Sequence, residues 1–291
     1  MNLHPYHHQK LFNHQKFFPF VTSLKIAIIG AGNVATHLGP ALQMAGHRVV
    51  QVFSRTASSA SALADRLSCG FVTDAEAVTA DAELYVFCVR DAVLSQLAQT
   101  VWRHLRSVGD ADRRPGAGCD GLFIHTAGSL PVDVLPAERR GVLYPLQTFS
   151  RARQIDFRQV PLFIESPSDE DFLLAIASQL SLTTCRMDGR RRGLLHLAAV
   201  FVCNFTNHMY DLGDHVAREA GVPFEVLLPL IDETARKVHQ LSPGNAQTGP
   251  AVRLDRNVME RHLALLPGRR EKEIYELLSR SIYDRLRLDK D

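Results

Sequence analysis

The residues best suited to chemistry lie near the start of the chain. Gly30-Ala31-Gly32-Asn33-Val34-Ala35 has G-x-G-x-x-A spacing. In that pattern the first glycine makes a tight turn, the second lets backbone approach a diphosphate, and the alanine lets a helix lie close to a sheet. Free N–H groups and partial positive charge at the helix start suit an anion. Gly30, Gly32, Asn33 and Val34 are therefore expected to bind a dinucleotide. About twenty residues on, NAD-binding chains place an Asp or Glu that accepts hydrogen bonds from the ribose 2′-OH. Here the position reads Ser54-Arg55-Thr56. A guanidinium with two hydroxyls grips a 2′-phosphate through charge-assisted hydrogen bonds, which favours NADP(H). The same tripeptide would also serve as an exposed Arg between helix-capping hydroxyls.

Two further turns close apolar runs: Cys88-Val89-Arg90-Asp91 and His125-Thr126-Ala127-Gly128-Ser129. Ligands of doubly wound sheets lie across the carboxyl ends of the strands. Cys88, Val89, Arg90, His125 and Thr126 are expected to bind the cofactor there. Asp91 either joins them or caps the following helix. Ser129 and Gln147, in loops at the same edge, are candidates to position a substrate; turn formation and backbone hydrogen bonding are their alternative roles. No lysine follows the glycines as in a P-loop, and no nucleophile elbow occurs, so phosphotransfer and triad hydrolysis find no support.

These turns need elements to hold them. Leu24–Ile29 and His47–Phe53 are short apolar runs around a helical stretch, 33–45, closed by Gly46. Residues 57–67 read as a helix, Leu84–Val89 as a buried strand and 92–105 as a helix. Leu122–His125, Val142–Tyr144, Pro161–Glu165 and Leu182–Met187 read as further strands, with a helix over 169–180. The stretch Ser107–Gly121, with Pro115, reads as an exposed loop. Alternating strands and helices predict an α/β, Rossmann-type doubly wound sheet, mainly parallel.

Beyond Gly189 the alternation stops. Helices are expected over 193–220, 223–240, 255–265 and 270–288, with a Pro/Gly-rich loop at 242–250, making an all-α C-terminal domain. The expected division is a mobile extension or upstream start at 1–23, a dinucleotide domain at 24–189 and a helical substrate and dimerisation domain at 190–291. Arg190-Arg191-Arg192 reads as a solvated turn.

Composition narrows the functional classes. The 291 residues are 46% hydrophobic and 22% charged, with 33 Lys+Arg against 31 Asp+Glu. So small a net charge points to neither nucleic acid nor an anionic membrane. No apolar run reaches the ~20 residues of a membrane span. The five cysteines are scattered without metal-like spacing, as in reduced cytoplasmic proteins. Asn204, His208, Asp211 and His215 share one helical stripe. The two histidines lie two turns apart, ~10 Å along the axis, which suits a polar rim rather than a metal site.

Taken together, these motifs, with Tyr144-Pro145-Leu146-Gln147-Thr148-Phe149, His196-Leu197-Ala198-Ala199, Asn204 and Gln247-Thr248-Gly249-Pro250, resemble those of an uncharacterised bacterial family. That family pairs a Rossmann-like domain with a helical domain of unknown function, and the resemblance spans about residues 24–288. More distantly the chain is similar to pyrroline-5-carboxylate reductase, ketopantoate reductase and the 6-phosphogluconate dehydrogenase-like superfamily. This resemblance implies NADP(H)-dependent hydride transfer, a small-molecule substrate held between the domains, and a homodimer formed through helices that also carry apolar stripes. Ser242-Pro243-Gly244 resembles the substrate-side loop of the pyrroline carboxylate enzymes.

The superfamily often places a lysine early on the first interdomain helix, with asparagines one and two turns later. The matching positions here read His196, Val200 and Asn204. His196 is the candidate proton donor, since histidine titrates near neutral pH; its alternative is a hydrogen-bonded interface histidine. Asn204 is the second catalytic candidate. Gln247, Thr248 and Arg253 would reach a neighbouring subunit's cleft, with Arg253 clamping a substrate carboxylate. The expectation is an NADP(H)-dependent oxidoreductase acting on a small carbonyl, hydroxy or imine compound, plausibly carboxylated. The alternative is a non-catalytic NADP(H)-binding sensor, left open by His for Lys and Val for Asn.

Overall fold

The computed structural model describes residues 21–112 and 120–288, and the chain divides into two compact units, Met1–Val200 and Phe201–Asp291. In the first unit the elements alternate: β1 (Lys25–Ile29), α1 (Asn33–Met44), β2 (Arg48–Phe53), α2 (Ala57–Leu67), β3 (Gly70–Val72), β4 (Leu84–Phe87) and α3 (Asp91–Asp112). They continue with β5 (Leu122–His125), β6 (Arg140–Pro145), β7 (Leu162–Glu165), α4 (Glu170–Leu180), β8 (Thr184–Arg186) and α5 (Gly189–Ala199). The eight strands form one sheet in the order β3-β2-β1-β4-β5-β6-β7-β8. All neighbours are parallel except β6 and β7, which pair antiparallel with Tyr144 opposite Phe163. The expected α/β architecture, a Rossmann-type sheet followed by helices, is present.

Strand periodicity builds the two faces. Successive side chains of a strand point to opposite sides, so Ile26 and Ile28 of β1 and Leu84 and Val86 of β4 join Leu38, Leu63 and Leu174 of α1, α2 and α4. Ala27, Ile29, Tyr85 and Phe87 face the other way, onto Leu94, Ala98, Val101 and Leu105 of α3. Those four recur at helical spacing, the stripe that lets α3 cover the sheet. Further along this second face, Val142, Tyr144 and Phe163 pack with Leu195 of α5.

From β1 the chain steps outward to β2 and β3, then returns to place β4 on the other side of β1. This is the point where strand order reverses and a crevice opens at the carboxyl ends. Ile29 and Phe87, the last residues of β1 and β4, stand in register there.

Three local expectations need correction, and one short strand, β3, has no counterpart among the expected elements. Residues 107–112, read as loop, continue α3, since the first obligate helix breaker is Pro115; residues 113–119, like the extension at 1–20, lie outside the described residues. The three residues of β3 are too few to show a periodic signal. Arg190–Arg192 form the first turn of α5 rather than a solvated turn, and Arg192 is buried at 1% exposure. The single helix expected over 193–220 starts at Gly189 and loosens into a π-helix at Val200–Phe205 before α6 (Thr206–Glu219).

The second unit consists of helices: α6, α7 (Leu228–Gln240), two short turns α8 (Pro243–Ala246) and α9 (Pro250–Arg253), α10 (Arg256–Leu265) and α11 (Arg269–Leu288). Among its described residues only Ala251 and Ser279 are buried in the single chain. No helix among the described residues is long and apolar enough to cross a membrane.

Candidate active site

The two glycines of the β1–α1 turn do different things. Gly30 has φ +114°, and a Cβ there would lie 2.4 Å from the Cys88 carbonyl oxygen and 2.8 Å from Val89 Cγ1. Backbone conformation and space both require glycine. Its N–H donates to the Phe53 carbonyl at 2.8 Å, tying the turn to β2. At Gly32, by contrast, a Cβ would meet only the Cys88 oxygen, at 3.8 Å. The fold itself would accept a side chain there. Gly32 also caps α1 without any side-chain hydrogen bond, leaving the first N–H groups of the helix to face an anion.

In front of this turn lies a cleft of about 600 Å³. Gly30, Ala31 and Gly32 form its floor, Ser54, Arg55, Thr56 and Ser59 line one end, and Cys88, Val89, Arg90, Val93 and Leu97 line the side toward β4 and α3. Arg151 completes it. Three guanidiniums and no carboxylate border the cleft among the described residues. Such a donor set fits an adenine dinucleotide bearing a diphosphate and a third phosphate on its ribose, and the space beside Gly32 fits close backbone contact with the diphosphate. Ser54, Arg55 and Thr56 would hold the ribose phosphate, and the α1 N-terminus the diphosphate.

Sequence reasoning missed Arg151. It follows the Tyr144–Phe149 segment with no local motif, and only the folded chain returns it to the glycines. There its guanidinium donates to the Ala31 carbonyl. Asn33 Nδ2 donates to the Phe149 carbonyl at 2.9 Å, and His37 Nε2 lies 3.0 Å from the Ser150 carbonyl oxygen. Asn33 thus fastens the 149–151 loop instead of lining the cleft, and Val34 packs half-buried against the core.

The structure also moves His125 and Thr126 out of the expected cofactor wall. His125 is fully buried, accepting from the Ala127 N–H at Nδ1 (3.1 Å) with Nε2 3.2 Å from the Pro131 carbonyl oxygen. Both ring nitrogens are used to shape the turn after β5. Burial, opposed by the Pro131 bond and reinforced by the nearby Arg192 charge, pushes its pKa down to about 4. Thr126 binds back to the Phe87 carbonyl. Burial likewise pushes the Cys88 thiol up to about 12, against a hydrogen bond from Thr126, so Cys88 remains protonated and inert as a nucleophile. At the exposed end of this turn Ser129 donates a short hydrogen bond to the Asp91 carboxylate at the start of α3.

Beside the same turn stands His196. Its Nδ1 lies 3.0 Å from the hydroxyl oxygen of Tyr144, and the two rings meet edge to face with centroids 5.9 Å apart. A Cβ on Gly128 would fall 2.7 Å from His196 Nδ1 and 2.9 Å from Tyr144 Cε2, so glycine is what lets the turn approach this pair. One helical turn earlier Arg192 donates to the Leu130 carbonyl and pairs with Glu165 of β7. Tyr144 was visible in the sequence only as part of a resembled motif; its hydroxyl contact depends on β6 lying beside α5.

Gln147 is exposed, and its Oε1 accepts from the adjacent Thr148 N–H at 2.8 Å. In the second unit Asn204 is exposed within the π-helix, Gln247 Nε2 donates to the Thr248 carbonyl at 3.0 Å, and Arg253 is exposed at the end of α9. Among the described residues no group of three His, Cys, Asp or Glu side chains could hold a metal ion.

A Rossmann-like domain model matches residues 20–148, and a model described as a domain of unknown function, DUF2520, matches 160–282. A protein from Bacteroides fragilis, provisionally assigned as an NADP oxidoreductase, is 46% identical over 90% of this chain and 98% of its own, with a TM-score of 0.81. The chain belongs to the Rossmann-like DUF2520 family. This DUF2520 chain also shares its fold with a reductive aminase from Aspergillus terreus, solved with NADPH and ethyl levulinate (16% identity, 91% and 94% coverage, TM-score 0.63). It shares it too with a pyrroline carboxylate reductase from Plasmodium falciparum, solved with NADP (9% identity, 89% and 98% coverage, TM-score 0.53). No curated protein matches the sequence.

Proposed function

We propose that this DUF2520 protein is an NADP(H)-dependent oxidoreductase that reduces a small carbonyl or imine compound. The observation that carries the reading is the cleft at Gly32, lined by Arg55, Arg90 and Arg151 and by no carboxylate among the described residues. The Bacteroides fragilis relative, the reductive aminase and the pyrroline carboxylate reductase support the cofactor and the reaction class. When bound, NADP(H) supplies the hydride. The chain itself must hold the coenzyme phosphates, present the acceptor and offer a hydrogen-bond donor to the heteroatom on which charge develops. His196, beside Gly128 at the carboxyl edge of β5, is our candidate for that donor.

We further infer that the working form is a homodimer joined through the helical unit. That unit buries almost nothing by itself while exposing Phe201, Val202, Phe205, Leu230 and Leu265. So much apolar surface on one small unit is the mark of an interface.

The test is calorimetric titration of the full chain with NADPH and NADH, followed by loss of NADPH absorbance with a panel of 2-oxo acids, cyclic imines and aldehyde–amine mixtures. We expect NADPH to bind the tighter and at least one compound class to be reduced. Equal affinities would remove the role of Arg55, and failure to bind either coenzyme would overturn the proposal. Light scattering should give twice the 32.4 kDa chain mass; a single chain mass would refute the dimer.

A further inference from the structure

The reductase reading leaves open how a histidine at the α5 position offers a proton-bearing nitrogen in the neutral pH range. A neutral imidazole carries one hydrogen, on Nδ1 or Nε2, and only the second form donates outward from a ring whose Nδ1 is already engaged. The hydrogen bond made by one nitrogen sets the state of the other.

Tyr144 supplies that bond. It is 7% exposed, on β6, with its hydroxyl oxygen 3.0 Å from His196 Nδ1. His196 Nδ1 is the hydrogen-bond partner of this hydroxyl among the described residues, and a largely buried hydroxyl favours donating to such an acceptor. Donation from the phenol leaves Nδ1 bare and puts the ring hydrogen on Nε2. His196 Nε2 makes no hydrogen bond among the described residues, and its ring is half-exposed. The charge that acts on Tyr144 is Arg192, one turn before His196 on α5, and Arg192 is itself paired with Glu165 on β7. Burial raises the Tyr144 pKa against the opposing Arg192 charge, keeping the phenol protonated.

We propose that Tyr144 is a positioning residue for catalysis: by donating to Nδ1 it locks His196 as the Nε2–H tautomer and aims that N–H at the heteroatom of the acceptor. A neutral histidine used this way polarises a carbonyl or imine as a hydrogen-bond donor, a role imidazole fills in other enzymes. Gly128 belongs to the same device, because any side chain there would displace both rings. The proposal contains no proton-transfer step. It rests on the reductase reading only for the identity of what the N–H faces.

The experiment is a long-range ¹H–¹⁵N correlation spectrum of the histidine rings in the full-length protein at neutral pH, with His196→Gln to assign the His196 signals. Wild type should show a bare Nδ1 and a protonated Nε2. In Tyr144→Phe, which keeps the ring and its packing, the two tautomers should mix. A wild-type Nδ1–H, or a spectrum unmoved by Tyr144→Phe, would overturn the inference whatever the protein reduces. NADPH titration of the same samples separates the two ideas. Unchanged affinity in Tyr144→Phe is expected, whereas absent binding in wild type would sink the reductase reading and leave the tautomer result standing. Where a panel compound is reduced, Tyr144→Phe should lower kcat about tenfold or more with little change in the NADPH KM; equal activity would refute a positioning role.

Discussion

At the scale of single residues, substitutions at two glycines of one turn, two positions apart, should behave oppositely. Gly30→Ala sets a Cβ against the Cys88 carbonyl at a φ of +114°, and should cost roughly 2–4 kcal/mol of stability, the sum of backbone strain and overpacking. Gly32→Ala meets nothing closer than 3.8 Å. It should melt like wild type in a thermal scan yet lose most of its NADPH affinity, because the methyl occupies the approach of the diphosphate. Arg55→Ala should weaken NADPH by about tenfold to a hundredfold, the worth of about 1.5–3 kcal/mol of charge-assisted hydrogen bonding, and leave NADH nearly unchanged in the same calorimeter. The places of Gly30, Gly32 and Arg55 on one cleft were legible in the sequence because their spacing follows the dinucleotide-binding pattern. Arg151 and the Tyr144–His196 contact were not. Each joins segments more than fifty residues apart through strand order, which no local pattern encodes. His125 misled for a related reason: a histidine ending a strand at the ligand edge has the same sequence whether its ring faces the crevice or folds inward.

Among the elements, α5 depends on a strut. Arg192 reaches Glu165 on β7 and the Leu130 carbonyl beyond β5 from almost complete burial. Truncating one partner of such a pair leaves the other uncompensated. Arg192→Ala should cost about 3–5 kcal/mol in urea unfolding, while Arg191→Ala, on the exposed side of the same turn, should stay within about 0.5 kcal/mol of wild type. Helices such as α1 and α2 were readable because one buried face repeats, and β4 because it is a short continuous apolar run buried on both faces. The end of α3, the three-residue β3 and the π-helix at Val200–Phe205 were hidden. Their boundaries are set by packing or by a single inserted residue rather than by a repeating pattern.

Across the whole molecule, stability should fall on mild acidification, and the sign follows from His125. Its folded pKa of about 4 lies below the ordinary 6.5. Between these values the unfolded chain binds a proton that the native state excludes, so stability is full above pH 6.5 and declines toward pH 4. The loss approaches about 3 kcal/mol. Urea midpoints measured at pH 7 and pH 4.5 should show that slope, and His125→Gln should flatten it; a variant with the wild-type slope would assign the proton uptake elsewhere.

The antiparallel pairing of β6 and β7 has an outcome for the reaction centre. Because β7 and β8 descend, the chain enters β8 from beyond the rim and leaves it at the level of Leu143, one residue past Val142, which stands level with the last residues of β5, β4 and β1. Helix α5 must then ascend the second face of the sheet, gaining about 6 Å in the turn between Arg192 and His196. It anchors at the lower level by Arg192 and delivers the imidazole to the upper one, beside Tyr144. Were β7 and β8 to run upward like their neighbours, the helix after β8 would turn back down across the sheet, as crossover helices do, and carry His196 away from the carboxyl edge.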